Sequence, residues 1–113
     1  MQWLAAAFVL TAEDARADGN NALISACVNG NLAAAQWLAK TFALTAEDAR
    51  AGDNYALRGA CVNGHLGIAQ WLATTFGLMV KDARSRNNYA LRGARKNEHH
   101  SVVQWLAEEF NLS

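Results

Sequence analysis

The tetrad Gln-Trp-Leu-Ala stands at Gln2, Gln36, Gln70 and Gln104, a constant step of 34 residues. Much of the sequence between the tetrads repeats as well. Thr-Ala-Glu-Asp-Ala-Arg at Thr11–Arg16 returns at Thr45–Arg50, and Asn-Tyr-Ala-Leu-Arg-Gly-Ala at Asn54–Ala60 returns at Asn88–Ala94. A fixed period of this length belongs to arrays in which each unit leaves its apolar face for the next unit to cover. Such arrays bind with an extended surface and seldom catalyse, so the repeat bears on function as well as fold.

At 113 residues the chain fits one repeat domain over 1–113, with units of about 2–35, 36–69 and 70–103 and a partial unit 104–113. The 10 basic and 10 acidic residues cancel, so net charge points to neither nucleic acid nor membrane. Their distribution is uneven. Met1–Val80 carries four basic and six acidic residues, whereas Lys81–His100 carries six basic and two acidic. Ala supplies much of the apolar content, and Pro is absent; both lean toward helix. No apolar run approaches the length needed to span a bilayer. Gln2–Leu10 has some look of a leader but lacks a basic start and repeats Gln36–Leu44, so it reads as part of a unit.

Within Asn54–Asn87, Asn54 reads as an N-cap. Ala56, Leu57, Ala60 and Cys61 follow as one helical stripe. Asn63-Gly64 ends that helix, and His65 opens a second with Leu66, Ala69, Leu72 and Phe76 on its buried side. Gly77 stops it. Thr11-Ala12-Glu13-Asp14 and Thr45-Ala46-Glu47-Asp48 read as capping boxes that start a short third helix. The third copy has Met79 in place of Thr, so its short helix is expected to be the least regular. An orphan helix at Gln2–Phe8 precedes three full helix pairs.

Ala56–Leu72, with its Asn63-Gly64-His65-Leu66 turn, resembles the ankyrin repeat, and Asn29-Gly30-Asn31-Leu32 carries nearly the same turn. The likeness extends over almost the whole chain. It implies an all-α, ankyrin-like solenoid of stacked helix pairs that binds proteins, with His65 placed to bond the neighbouring turn. Two departures stand out. Tyr55-Ala56-Leu57-Arg58 replaces the family's Thr-Pro-Leu-His, and the capping sequences predict a short helix where ankyrins carry a β-hairpin finger. The tetratricopeptide repeat shares the period but not the residues that follow Trp37 and Trp71.

The chemistry-bearing residues read mostly as structural. Cys27 and Cys61 share one buried-stripe position, and stacked helices sit ~8–10 Å apart, too far for a bridge. Unpaired thiols favour an intracellular setting. His65, His99 and His100 have no metal-site spacing, and no nucleophile–base or phosphate-loop pattern occurs, so no catalytic residue, metal or cofactor is expected. Trp3, Trp37, Trp71 and Trp105 form a ladder that reads as packing, with a base-stacking platform as the competing reading. Asp-Ala-Arg in every unit (Asp14, Asp48, Asp82) suggests capping or an ion pair between adjacent units. Positions that vary within a fixed frame are candidate contacts. Asn21, Tyr55 and Tyr89 share one, and Ile24, Arg58 and Arg92 share another three residues on, along the same helical face.

These readings point to a non-enzymatic protein-interaction scaffold whose partner meets Asn21, Ile24, Tyr55, Arg58, Tyr89 and Arg92. Tyr55, Arg58, Tyr89 and Arg92 are expected to be partly exposed on one continuous surface. The alternatives are nucleic-acid or acidic-partner binding through Lys81–Lys96, or a structural piece of a longer array. The sequence opens within a unit, so self-association or fraying is expected at its N-terminal end. Arg95, replacing the cysteine of earlier units, implies a solvent-facing opposite end.

Overall fold

The computed structural model describes residues 11–112. The Gln2–Phe8 helix and the behaviour expected of the N-terminal end lie outside them. Among the described residues the chain is all helical, without strands. The elements are α1 (Ala12–Val28), α2 (Leu32–Thr41), α3 (Ala46–Ala49), α4 (Ala51–Val62), α5 (Leu66–Phe76), α6 (Val80–Ala83), α7 (Ser85–Lys96) and α8 (His100–Phe110). The helix α1 packs against α4 and α4 against α7, and each of the three pairs with the helix that follows it in sequence. The described residues extend 46 × 22 × 21 Å, long in one direction and narrow in the other two.

The short helices are where the capping boxes place them. Thr11 and Thr45 accept from the amides of Asp14 and Asp48, and each Asp in turn accepts from the threonine amide. The Met79 copy departs from expectation. Val80–Ala83 is as long as Ala46–Ala49, because the reciprocal half of the box survives: the Met79 amide donates to Asp82 Oδ2 at 2.8 Å. That bond and the burial of Asp82 and Ala83 hold the helix without a threonine hydroxyl.

The start of the first helix also differs from the sequence reading. Asn54 is not an N-cap. Gly52, Asp53 and Asn54 lie consecutively in the left-handed region inside α4, as do Asp18, Gly19 and Asn20 in α1 and Arg86, Asn87 and Asn88 in α7. A left-handed step crowds Cβ against the following carbonyl, so Gly, Asn and Asp tolerate it best. Arg86 is the exception among these turns. Each turn sets the long helical segment at an angle to the short one before it.

The expected stripe of Ala56, Leu57, Ala60 and Cys61 is wholly buried. On α5, Ile68 joins Ala69 and Leu72 in the core, while Leu66, Phe76 and Trp71 pack at its edge. Trp37, Trp71 and Trp105 are partly buried and pack against the core, where packing between helices predicts that Trp37 and Trp71 are largely buried. Trp37, Trp71 and Trp105 each meet the Phe five residues on, edge to face at 5.6, 5.6 and 5.5 Å. Gly30 and Gly64 close the turns between paired helices with positive φ, and a Cβ at either would lie 2.6 Å from the imidazole of His65 or His99. The histidine of one unit thus lies flat against the glycine turn of the unit before it. Cys27 and Cys61 are buried free thiols, pushed up to about 12 by burial.

Candidate interaction face

The recurrent Asp-Ala-Arg is a clasp between consecutive units. Arg16 Nε donates to Asp48 Oδ1 at 2.9 Å, and Arg50 donates to both oxygens of Asp82 at 2.9 and 3.1 Å. The last residue of the first two left-handed turns joins in: Asn20 Nδ2 reaches Asp48 at 3.1 Å and Asn54 Nδ2 reaches Asp82 at 3.0 Å. Burial works against each carboxylate, and these donors outweigh it. Asp48 is held down to about 2, and Asp82 is lowered by the same arrangement. Oδ1 of Asn20, Asn54 and Asn88, the last residue of each left-handed turn, is buried without a hydrogen-bond partner among the described residues.

With the turns fixed this way, the segments that follow present one face. Tyr55 and Tyr89 are 48% and 44% exposed. Arg58 lies between them, its Cζ 5.1 Å from the Tyr55 ring centre and 5.2 Å from that of Tyr89. Arg92 continues the series at 5.7 Å from Tyr89. Both guanidinium groups are tied to backbone. Arg58 donates to the carbonyls of Asp53 and Gly52, each at 2.9 Å, and Arg92 to those of Asn87 and Arg86 at 2.9 and 3.2 Å. The carbonyls belong to the left-handed turns, so each arginine braces the turn behind it and stacks on the ring beside it.

Six candidate positions therefore divide by role. Tyr55, Tyr89 and Arg92 are exposed and form one surface with Asn21, which is exposed, and Ile24, which is half-buried. Arg58, expected to be partly exposed, is only 9% so, because two tyrosines cover its faces and two carbonyls its edge. Its part is to hold the rings in place. Ile24 leaves the first turn without such a brace.

The face is furrowed between units. A depression of about 510 Å³ is bounded by Tyr55, Arg58, Tyr89 and Arg86, with Val28 and Gly59 beneath. A Cβ at Gly59 would lie 2.4 Å from Val28, so glycine here is what lets the helices close up. The furrow extends toward Asp18 and Ile24 at one end and toward Arg92 and Lys96 at the other. Arg86, at the rim, pairs with Asp53 at 2.9 Å, and both side chains are well exposed.

Missing from the sequence reading were the turns themselves and the asparagine in each clasp. Their signal was present in the clusters Asp18-Gly19-Asn20, Gly52-Asp53-Asn54 and Arg86-Asn87-Asn88, which recur at the same offset. Among the described residues, no three His, Cys, Asp or Glu side chains gather as metal ligands. No helix among them is long and apolar enough to cross a membrane. Comparison of the chain with family models, with curated proteins and with solved structures gives no match.

Proposed function

We propose that this chain is a non-enzymatic protein-interaction module, an ankyrin-like solenoid whose furrowed first-helix face receives a protein partner. The observation that carries this reading is the ladder Tyr55–Arg58–Tyr89–Arg92. Two half-exposed aromatic rings are held in fixed orientation by guanidinium groups that are themselves fixed by backbone carbonyls. The core does not need these rings. Rigid, exposed Tyr and Arg lose little freedom on binding, which favours them as interface anchors. The Asp48 and Asp82 carboxylates, by contrast, recur in equivalent structural clasps, which supports a frame rather than a catalytic centre.

The test is selection of displayed peptides against the full chain. Peptides should be enriched whose binding is lost in a Tyr55→Ser/Tyr89→Ser variant that keeps the helical circular-dichroism spectrum and the urea midpoint. Undiminished binding to that folded variant would move the site elsewhere. Retention on single-stranded DNA that falls steeply with salt and outcompetes the peptides would replace the reading with nucleic-acid binding through Lys81–Lys96.

A further inference from the structure

Arg58 and Arg92 are equivalent residues in equivalent surroundings, except on one side. The Arg58 guanidinium is covered by a tyrosine on each face. Arg92 stacks on Tyr89 alone, and it is exposed. Its Nε and Nη2 are held by the carbonyls of Asn87 and Arg86, so its plane is set without a second ring. We propose that Arg92 is the docking point for an aromatic side chain of an extended acidic peptide, which takes the position beside Arg92 that Tyr89 takes beside Arg58. This rests on the reading of the Tyr–Arg ladder as a binding face, and it names the chemistry the partner brings.

Three observations favour that occupant. First, the chain itself shows which group the stack accepts: a phenol ring about 5 Å from the guanidinium carbon, on both sides of Arg58. A planar guanidinium prefers such a ring to an aliphatic group, and pre-orientation lowers the cost of ordering it. Second, a depression of about 370 Å³ lies beside Arg92, lined also by Val62, Tyr89 and Lys96, which is room for neighbouring partner residues. Third, Arg95 and Lys96 are exposed one turn further along α7 and appear in no ion pair among the described residues, so carboxylates flanking the aromatic would meet charge of the opposite sign. A nucleic acid also offers rings and negative charge. Its phosphates, however, would run past Asp53 and Asp18 along the same furrow, and Asp53 already neutralises Arg86. The peptide is the better fit.

The experiment uses the full chain, isotope-labelled and followed by NMR at the arginine Nε–H resonances and the backbone amides. The probes are a Glu-Glu-Tyr-Glu-Glu peptide, the same peptide with Leu for Tyr, and a short oligothymidylate. The tyrosine peptide should shift Arg92 Nε–H upfield, saturably, toward the position of the doubly stacked Arg58. The leucine peptide should leave Arg92 Nε–H in place. Arg92→Lys keeps the charge and loses the plane, and should weaken the tyrosine peptide roughly two- to fivefold, as expected for an exposed cation–π contact. Its amide spectrum reports whether the fold is kept. Binding that moves Tyr55 and Tyr89 amides but not Arg92 would overturn this proposal and leave the wider reading standing. No saturable change from any peptide anywhere on the face would count against both. Tighter binding of the oligothymidylate than of the peptide would overturn the choice of occupant.

Discussion

Asp82 accepts hydrogen bonds from three groups at once: the Arg50 guanidinium, the Asn54 amide of the turn that follows it, and the Met79 N–H at the start of its own short helix. Asp48 does the same for Arg16, Asn20 and Thr45. One carboxylate therefore caps a helix, fixes a turn and joins two units. Because the folded pKa of Asp48 lies at about 2, below its ordinary 3.8, its contribution is complete above 3.8 and is lost as pH falls through that value toward 2. Asp82 is lowered in the same direction, so the two act together. Stability measured by urea unfolding should be flat near neutrality and fall on acidification within that window, by on the order of 1–2 kcal/mol from Asp48 once the part-exposed Arg16 is allowed for. Asp48→Asn should lower the plateau and flatten the fall; an unchanged acid slope would show that the clasp does not govern it. Arg58 poses a related question. Arg58→Lys keeps a charge between the tyrosines but loses the two-pronged bond to Asp53 and Gly52, and should cost roughly 1–2 kcal/mol. Arg92→Lys, exposed and stacked on one side, should cost less; equal costs would show that the double stack adds nothing to the turn.

At the level of elements, the paired helices were legible because their signals are local and strong. Small and apolar residues at helical spacing mark Ala56, Leu57, Ala60 and Cys61, and Gly64 and Gly77 mark helix ends where φ turns positive. The short helices were legible from Thr11 and Thr45 for the same reason. What escaped was the left-handed turn. Its residues, Asp, Gly and Asn, are those of any loop, and an Asn ahead of an apolar run looks the same whether it caps a helix or lies three residues deep in a bend. Only the carboxylate of the next unit, 28 residues on, tells Asn54 what to do. That Tyr55, Tyr89 and Arg92 share an exposed face was legible from their register, but the burial of Arg58 was not, because its covering ring, Tyr89, comes from the next unit. Met79 was misread in the opposite direction, since the missing threonine hydroxyl matters less than the retained acid. This yields a prediction. Met79 is 65% exposed, so Met79→Thr gives up little burial, while it supplies the acceptor that Thr45 offers to Asp48. The variant should be more stable by about 0.5–1 kcal/mol in thermal or urea unfolding. A loss of stability would mean that the thioether packs in a way its exposure conceals. Trp71→Ala belongs to the same scale: with Trp71 only partly buried, its cost should fall below the ~3–5 kcal/mol of a fully buried aromatic.

Across the whole molecule, the units are joined by contacts that repeat: the Arg–Asp clasp, the histidine on the glycine turn, and valine on glycine between the first helices. For the proposed solenoid, stability is a sum of unit terms and nearest-neighbour terms, so breaking one junction should open the structure there first. Cys27 and Cys61 report on different junctions. Both are buried, and Arg95 at the equivalent place in the last unit is exposed, so the following unit is what covers this position. Cys27 is therefore shielded by the second unit and Cys61 by the third. With thiol pKa values pushed up to about 12, reaction with a maleimide at neutral pH requires opening of the junction. Arg16→Ala removes the clasp between the first and second units, and Arg50→Ala the clasp between the second and third. Arg16→Ala should speed labelling of Cys27 by roughly fivefold, the opening expected from the loss of about 1 kcal/mol at one junction, with a smaller effect on Cys61. Arg50→Ala should do the reverse. Peptide mapping after timed labelling separates the two sites. If either variant accelerates both cysteines equally, the described units open as one cooperative body, and the clasps contribute to global stability without defining separable junctions.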